Sequence, residues 1–456
     1  MQTKNWFCVK GTGMNMTAKN LFNKRSSGKK VVILGAGIAG ISAAYFLEKA
    51  GIETAVYEKS ASWGGLCDNF TIDGFRFDKF VHLSFTENEA VKKIFEKAGN
   101  VFRHKPDASC YYRGLKLKHP VQNNLYPLGI EEKILILKGF FKNNIKKVKD
   151  IDNYDQWLRV QYGNDFAERF PIKYTKKYWG TEAKDLETKW IGNRMYRPTI
   201  SEVLRGALTS KTPNTYYAKE MRYPEKGGFK SFITGMTENL NIRLNKKVVR
   251  IKTDIKKIIF SDGSQVEYDI LISSLPLPEM KNILVDLPQN IKHAIEQLNW
   301  TSGYMVSIGL SNPCESKEIW SYLYDEDTLV SRIYYPCKKS EDNVPKGCSS
   351  IQAEIYYSQH RKINLNHQEI LQKTIDDLDG MGLINRKHII VEDIRHEQYA
   401  NVIFDHEIYK NRSLILEHLD KIGIKSIGRF GLWDYLWSDQ SLLSGLDVAK
   451  LIINDV

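Results

Sequence analysis

The sequence has few of the features that mark a metalloprotein, a disulfide-stapled protein or a membrane protein. Its six cysteines are scattered without a Cys-x-x-Cys pair, and no histidine cluster has the spacing of metal ligands. We therefore expect no metal site and reduced thiols, which favours a cytoplasmic protein. No run approaches the roughly 20 apolar residues that a transmembrane helix needs, so we expect no integral membrane segment. Internal repeats and low-complexity tracts are also lacking.

Charge of one sign is not gathered in any single block. The net charge is +12, but the lysines and arginines are spread along all 456 residues. We interpret the excess as a soluble basic surface and expect no nucleic-acid partner, although anionic ligands remain compatible with it. The length and the 42% hydrophobic content allow a globular protein of two or three lobes.

Local patterns near the N-terminus predict a strand, a turn and a helix. Val31–Leu34 is a β-branched and aliphatic run, and a glycine-rich turn and a helical periodicity follow it. Gly35, Gly37 and Gly40 give the spacing G-x-G-x-x-G at this turn, and Glu58 ends the next predicted strand. In such a turn the backbone approaches a pyrophosphate, the helix N-terminus offers N–H donors, and the acidic residue accepts hydrogen bonds from ribose hydroxyls.

Three further segments favour FAD as the dinucleotide. Residues 63–66 (WGGL) resemble the second glycine pair that glutathione-reductase-type and amine-oxidase-type flavoproteins place against the same diphosphate. Residues 269–274 (DILISS) resemble the strand that returns the chain to that domain, and residues 428–431 (GRFG) the turn near the isoalloxazine. The predicted FAD contacts are Gly35, Gly37, Ile38, Ala39, Gly40, Glu58, Lys59, Gly64, Gly65, Leu66, Val249, Gly428 and Arg429.

The patterns along the chain predict an α/β fold, in which a Rossmann-like FAD-binding domain carries an inserted helical lobe and an antiparallel sheet substrate lobe. The periodicity is helical from about residue 87 to 206, and strand-like stretches follow. The predicted parts are a disordered extension (1–28), the FAD-binding domain (29–100, 216–290 and 411–456), a helical substrate or oligomerisation lobe (101–215) and the sheet lobe (291–410).

Beyond the cofactor segments, the chain resembles the UDP-galactopyranose mutases over nearly all of residues 29–456. Residues 77–82 (FDKFVH) resemble the histidine loop of that family, and residues 119–124 (HPVQNN) its uridine-side segment. Residues 174–179 (YTKKYW) are similar to the helix that places a tryptophan beside the uracil, and residues 190–194 (WIGNR) to the segment with the first substrate arginine.

The second half of the chain continues this resemblance. Trp320, Tyr322 and Arg332 have the spacing of the family's diphosphate-sugar contacts, and residues 428–435 (GRFGLWDY) resemble its C-terminal signature. The resemblance implies catalytic roles for His82, Arg194 and Arg332. The substrate contacts it implies are Val121, Gln122, Asn123, Trp179, Arg194, Tyr322, Arg332, Tyr399, Asn401 and Tyr435. Independently of the family, an arginine offers the planar, permanently charged fork that a diphosphate requires.

The resemblance also implies the reaction. N5 of reduced FAD attacks the anomeric carbon of a nucleotide-diphosphate sugar, the diphosphate leaves, and the sugar ring recloses through a different hydroxyl before the diphosphate returns. The outcome is a pyranose to furanose exchange without net redox change, with NAD(P)H as the expected external reductant. Surface polysaccharide biosynthesis and a homodimer are further implications.

Some residues depart from the pattern of the family. Phe80-Val81 stands where two glycines usually precede the loop histidine, Asn401 lies where a phosphate-binding tyrosine is expected, and His119 replaces an aromatic ring. Because these positions surround the sugar and phosphates, we expect a variant sugar, such as a deoxy, amino or heptose sugar. The sequence leaves open an FAD-dependent oxidoreductase of the protoporphyrinogen-oxidase or amine-oxidase type, and a flavin-binding scaffold.

Overall fold

The structure is a computed structural model that describes residues 28–145, 150–192, 194–216 and 218–455. Except for Gly28, the extension predicted at 1–28 lies outside these residues. Within the described ranges, no helix combines the length and apolar character needed to span a bilayer. The same residues hold no group of three or more His, Cys, Asp or Glu side chains that could bind a metal ion.

Strands and helices alternate along the chain. The strands are β1 Val31–Leu34, β2 Thr54–Tyr57, β3 Asn69–Ile72, β4 Phe75–Asp78, β5 Val101–His104, β6 Ala108–Tyr112, β7 Leu115–Lys118, β8 Met221–Pro224, β9 Ile242–Arg243, β10 Val248–Lys252, β11 Lys257–Phe260, β12 Gln265–Glu267, β13 Ile270–Ser273, β14 Trp300–Leu310, β15 Trp320–Leu323, β16 Arg332–Tyr334, β17 Ser349–Tyr357, β18 Ile389–Val402 and β19 Ile424–Ser426. The helices are α1 Ile38–Lys49, α2 Glu89–Glu96, α3 Ile130–Ile145, α4 Tyr154–Tyr162, α5 Asn164–Arg169, α6 Pro171–Trp179, α7 Ile200–Leu208, α8 Ser231–Thr234, α9 Met280–Ile283, α10 Gln289–Glu296, α11 Pro336–Lys339, α12 His367–Gly380, α13 Ile408–Lys421, α14 Gly428–Gly431 and α15 Ser438–Asp455.

A five-stranded parallel sheet with the order β19-β13-β1-β2-β9 forms the nucleotide-binding part. Its strands come from the beginning, the middle and the end of the chain. Helices α1 and α15 pack together beside it, where the Ser42 hydroxyl donates to the Leu442 carbonyl at 2.7 Å. A Cβ on Gly445 would lie only 2.3 Å from the Ala39 carbonyl oxygen, so the close approach of these helices requires glycine. The predicted Rossmann-like α/β fold is confirmed.

A seven-stranded sheet with the order β18-β14-β17-β16-β15-β6-β7 forms the opposite wall of the molecule. Its neighbours are antiparallel except β15 and β6, which run parallel with Trp320 opposite Ala108. Strands β6 and β7 belong to the stretch for which the sequence predicts helices. Local periodicity does not reveal them because the partner of β6 lies far along the chain. Helices α3 to α7 form the inserted helical layer and bury aromatic residues such as Trp157, Tyr162 and Phe166.

A buried ion pair joins the end of β4 to α11 of the sheet lobe. Lys339 Nζ lies 2.5 Å from Asp78 Oδ2, and both side chains have zero exposed surface. The Asp78 carboxylate also accepts hydrogen bonds from the Tyr223 hydroxyl at 2.7 Å and from the Phe229 N–H at 3.0 Å. The Tyr334 hydroxyl donates to the Asp78 carbonyl at 3.1 Å. The buried charges and hydroxyls of this cluster are paired with one another. We therefore interpret the ion pair as the contact that holds the end of β4 against α11.

Replacement of Lys339 by methionine retains much of the side-chain length but leaves the Asp78 carboxylate buried without its counter-charge. We expect Lys339→Met to lower the free energy of unfolding by about 3–5 kcal/mol, measured by urea denaturation of the flavin-loaded protein. Lys410→Met is the control, because the Lys410 side chain is 80% exposed in its pair with Glu407 and should change stability by less than ~0.5 kcal/mol. Equal effects of the two substitutions would contradict this role for the buried pair.

Candidate active site

The ends of β1 and β2 and the start of α1 form a cradle for a dinucleotide. Gly37 is the N-cap of α1, and no described side chain caps this end, so its N–H groups remain available to an anion. A Cβ on Gly65 would lie 3.1 Å from Gly37 Cα, which places the second glycine pair against the first turn. The Glu58 carboxylate accepts hydrogen bonds from the N–H groups of Ala36 and Ser60, both at 2.9 Å. These residues fit a nucleotide diphosphate and its ribose.

A cavity of about 950 Å³ extends from this cradle to residues of the helical lobe and of the seven-stranded sheet. The sequence-predicted residues that line it are Gly35, Gly37, Ile38, Ala39, Glu58, Lys59, Gly64, Gly65, Leu66, His82, Gln122, Trp179, Arg194, Tyr322, Arg332, Tyr399, Asn401, Gly428, Arg429 and Tyr435. The predicted cofactor and substrate positions therefore share one cavity.

Two residues predicted on the substrate side, Val121 and Asn123, do not line the cavity. They are 1% and 2% exposed, and they belong to a 3₁₀ turn that packs beneath α7. A Cβ on Gly206 of α7 would lie 2.1 Å from the Asn123 carbonyl oxygen. Of the three residues of this turn, Gln122 lines the cavity, and its amide donates to the Tyr196 carbonyl at 3.2 Å.

Two of the predicted cofactor contacts also lie outside the lining. Gly40 packs inside, where a Cβ would lie 2.0 Å from the Gly35 carbonyl oxygen, as expected for its predicted packing role. Val249 is 40% exposed. Its neighbour Val248 lines the cavity instead, since successive side chains of a strand point to opposite faces.

Arg194 carries a charge without a described carboxylate partner. Its Nη1 donates to the Trp190 carbonyl at 2.8 Å and its Nη2 to the Tyr435 carbonyl at 2.9 Å. Its Nε is buried with no hydrogen-bond acceptor among the described residues. The Tyr435 ring lies close to two guanidinium groups, with the Cζ atoms of Arg194 and Arg429 at 4.6 and 5.3 Å from its centroid. This part of the cavity is therefore positively charged.

Arg332 has a different environment, because its charge is balanced within the protein. Its guanidinium lies 2.6 Å from Glu354 Oε2, and the Glu354 side chain has zero exposed surface. The other oxygen of the carboxylate accepts the Val81 N–H at 2.6 Å. Burial favours a lower pKa for Arg332, but Glu354 together with nearby phenols raises the pKa well above its ordinary value. Glu354 thus links Arg332 to the part of residues 77–82 that follows β4; this part, residues 79–82, is called the histidine loop from here on.

Contacts from the sheet hold the histidine loop. Phe80 takes the left-handed conformation, with φ +61°, and its ring stacks on Tyr356 at 5.6 Å. A Cβ on Gly303 would lie 2.8 Å from the ring, so the ring depends on a glycine below it. Lys79 pairs with Glu397 of β18 at 2.7 Å. The Phe80 ring and the carboxylates of Glu397 and Glu354 therefore hold three consecutive residues of the loop, 79–81.

The two histidines of the site are half-buried. His82 packs on Phe229 with ring centroids 5.0 Å apart, and burial lowers the pKa of His82 to about 4. His119 packs between Tyr216 and Tyr322, with centroids at 5.6 and 4.8 Å. Burial lowers the pKa of His119 to about 4 as well. Both rings are therefore neutral at pH 7 and act as aromatic or hydrogen-bonding groups.

The remaining predicted side chains form an aromatic wall. Trp179 is 5% exposed and packs on Trp190 and Tyr435, with centroids at 4.9 and 5.5 Å. The Tyr399 hydroxyl donates to Glu279 Oε1 at 2.7 Å, so the protein already provides a carboxylate acceptor for this hydroxyl. Asn401 is 4% exposed and donates through Nδ2 to the Thr301 hydroxyl at 3.2 Å.

Sequence reasoning missed several residues of this site. Tyr174 and Tyr178 line the cavity, and their spacing of four residues on a predicted helix would have placed them on one face. Glu354 gives no such signal, because it is one buried residue in a nine-residue strand with few exposed positions. Its pairing with Arg332 depends on the register of β16 against β17, which sets the two residues opposite each other.

Comparison with known proteins places this geometry in a family. The family model for flavin containing amine oxidoreductase matches residues 38–406. The chain is similar to 4,4'-diaponeurosporene oxygenase of Staphylococcus haemolyticus (strain JCSC1435), with 23% identity covering 81% of this chain and 84% of that protein. It is also similar to L-amino acid oxidase of Cerastes cerastes, with 25% identity covering 73% of this chain and 67% of the oxidase.

Among solved structures, the chain is similar to a reduced UDP-galactopyranose mutase. The TM-score is 0.88, and the match covers 94% of each chain at 21% sequence identity. At this identity the likeness concerns the fold alone.

A side chain at Gly37 should block the cofactor without disturbing the protein. The nearest heavy atom to a Cβ at Gly37 is 3.9 Å away, so valine has room there only in the space expected for the diphosphate. We expect Gly37→Val to fold but to lose its bound flavin, measured by flavin absorbance and fluorescence after gel filtration. Gly235→Val, where a Cβ has no neighbour within 4 Å, should keep full flavin content. Stoichiometric flavin in Gly37→Val would contradict the assignment of the cradle.

The lowered pKa of His119 predicts a pH dependence of stability. Its pKa in the folded protein is lowered from the ordinary 6.5 to about 4, so the unfolded chain takes up this proton first as the pH falls. Stability is therefore lost between about pH 6.5 and pH 4 and is not affected by this group above that range. We expect His119→Phe to flatten the fall by up to about 1.4 kcal/mol per pH unit, measured by urea denaturation at each pH. Parallel curves for the two proteins would refute this expectation.

Proposed function

This chain belongs to the flavin containing amine oxidoreductase family, and we propose that it is a flavin-dependent mutase that interconverts the pyranose and furanose forms of a nucleotide-diphosphate sugar. The proposed cofactor is FAD, held by the glycine cradle and Glu58 and reduced by NAD(P)H. One observation carries the proposal: two side chains that line the cavity carry buried hydrogen-bond donors without acceptors among the described residues.

Two of these donors are buried. Arg194 Nε and the Tyr174 hydroxyl have no hydrogen-bond partner among the described residues, and both side chains line the cavity. Buried polar groups normally have partners, so such donors indicate a ligand rich in acceptors. A diphosphate offers only acceptors and carries the negative charge that Arg194 and Arg429 lack from the protein. We therefore assign the diphosphate to the part of the cavity around Tyr435.

The same donors argue against other substrates of this family's chemistry. An amine substrate carries a positive charge and would be repelled by two guanidinium groups without described carboxylate partners. An apolar chain would leave the donors unpaired in a dry site, at a cost of about 1–3 kcal/mol each. These costs favour an anionic nucleotide sugar.

The protein's own groups would bind and orient the substrate. Arg194 would donate to the diphosphate and hold the leaving group in place while the sugar ring opens and recloses. Trp179 and the tyrosines would exclude water and provide flat surfaces for the base and the sugar. His82 is neutral at pH 7, because burial lowers its pKa to about 4, so it can orient a ligand but cannot supply a proton as an imidazolium. Reduced FAD, when bound, supplies the nucleophile for the anomeric carbon.

The sugar in this proposal differs from galactose. Lys79, Phe80 and Glu397 line the cavity and take space that two glycines would leave open, and Asn401 offers less reach than a tyrosine would. We propose a deoxy, amino or heptose sugar destined for a surface polysaccharide, and a homodimer formed through the helical lobe. Efficient conversion of UDP-galactose would contradict the choice of sugar.

A second candidate is an FAD-dependent oxidase, favoured by the oxygenase and the oxidase among the sequence relatives. In that case the oxidised flavin would accept a hydride from the substrate and oxygen would be consumed. The anionic end of the substrate would then be held by Arg194.

The test uses flavin-loaded protein, reduced with dithionite or NADPH, and a panel of UDP-, GDP- and dTDP-pyranoses, with products separated by anion exchange. We expect an isomeric sugar nucleotide only with reduced flavin, and we expect Arg194→Met to lower kcat/KM by about 10- to 100-fold. Arg103→Met is the control, because this arginine lies on the surface with 51% of its side chain exposed. Absence of any isomer, with substrate-dependent oxygen uptake by the oxidised form, would favour the oxidase.

A further inference from the structure

From the geometry around Asn401, we infer that Tyr178 binds the substrate diphosphate and that Asn401 only positions the Tyr178 hydroxyl. This inference rests on the proposed function and assigns a phosphate contact at a position that the sequence reasoning did not select. Tyr178 lies on α6 and lines the cavity, and its hydroxyl faces Asn401 Oδ1 at 3.5 Å.

Asn401 is poorly suited to bind a phosphate itself. Its backbone N–H and its Nδ2 both donate to the Thr301 hydroxyl, at 3.1 and 3.2 Å, and Thr301 is fully buried. This network turns the amide oxygen towards Tyr178. An oxygen acceptor repels a phosphate oxygen, so the group that Asn401 presents has the wrong polarity for a diphosphate.

The Tyr178 hydroxyl, in contrast, is a donor that the protein satisfies poorly. Strong O–H···O hydrogen bonds are about 2.5–3.0 Å long, and the contact of 3.5 Å with Asn401 exceeds that range. Burial raises the pKa of Tyr178, so the phenol stays protonated at neutral pH. A phosphate oxygen could accept from this hydroxyl at a normal distance while Asn401 limits its direction.

The ring of Tyr178 is held so that its hydroxyl can serve in this way. It packs edge-on against Tyr356 with centroids 4.9 Å apart and stacks beside Tyr174 at 5.7 Å. The Arg332 guanidinium lies 5.8 Å from the ring centroid. Because packing orders the ring before a ligand arrives, little side-chain entropy is lost on binding.

The charge of Arg332 is compensated within the protein, which explains why a neutral hydrogen-bond donor helps to bind a diphosphate at this position. Glu354 lies 2.6 Å from this guanidinium and compensates its charge. A diphosphate near Arg332 therefore meets weaker attraction than near Arg194, and a phenol adds a hydrogen bond without adding another buried charge.

The experiment measures binding of UDP, GDP and dTDP by calorimetry to flavin-loaded wild-type protein and to Tyr178→Phe, Asn401→Ala and the double variant. We expect Tyr178→Phe to weaken the affinity for the bound diphosphate by about 10- to 100-fold, with unchanged flavin content and melting temperature. Asn401→Ala should weaken binding less, and it should add almost nothing in the Tyr178→Phe background, because it acts through the hydroxyl. Tyr357→Phe, which removes a hydroxyl bonded to His396 outside the cavity lining, is the control.

The outcomes separate this inference from the proposed function. Wild-type affinity in Tyr178→Phe would overturn the role of Tyr178 and leave the nucleotide-sugar proposal intact. A full effect of Asn401→Ala in the Tyr178→Phe background would overturn the positioning role and return Asn401 to direct contact. Failure of the wild-type protein to bind any of the nucleoside diphosphates would overturn both proposals together.

Discussion

The buried ion pair of Asp78 and Lys339 is the interaction on which the geometry of the site depends. Burial lowers the pKa of Lys339, and the carboxylates of Asp78 and Glu354 act in the opposite direction. The ammonium also lies 4.3 and 4.6 Å from the ring centroids of Tyr334 and Tyr223, which compensate part of its lost hydration. Since the histidine loop begins at the residue after Asp78, its contacts with the sheet start from a fixed point.

The histidine loop itself shows how a departure from a family pattern can be accommodated. A left-handed residue other than glycine is strained, and here the Phe80 ring gains a buried position above Gly303 and beside Tyr356 in return. Glu354 then binds the loop N–H and the Arg332 guanidinium with its two oxygens. A change in loop conformation would break contacts to the sheet at several residues, so we interpret the loop as a fixed wall of the cavity.

The fold does not decide the reaction, because oxidases and a mutase share it. What distinguishes this cavity is its balance of donors and charges. Arg194 and Tyr174 hold donors without partners, while the carboxylates at Glu354 and Glu397 are already engaged by Arg332 and Lys79. A site that has hydrogen-bond donors without partners, and whose carboxylates already form ion pairs, fits an anionic, oxygen-rich ligand better than an amine or a hydrocarbon.

The sequence by itself determined the cradle. Glycine positions in the turn after β1, the start of α1 and the acidic end of β2 are local features, because backbone sterics and helix ends involve residues close in the chain. Only the tertiary structure decided which charges are free, because the register of β16 on β17 pairs Arg332 with Glu354. It also recruited β6 into the large sheet and turned the Asn401 amide towards Tyr178. These outcomes depend on contacts between residues far apart in sequence, which local periodicity does not encode.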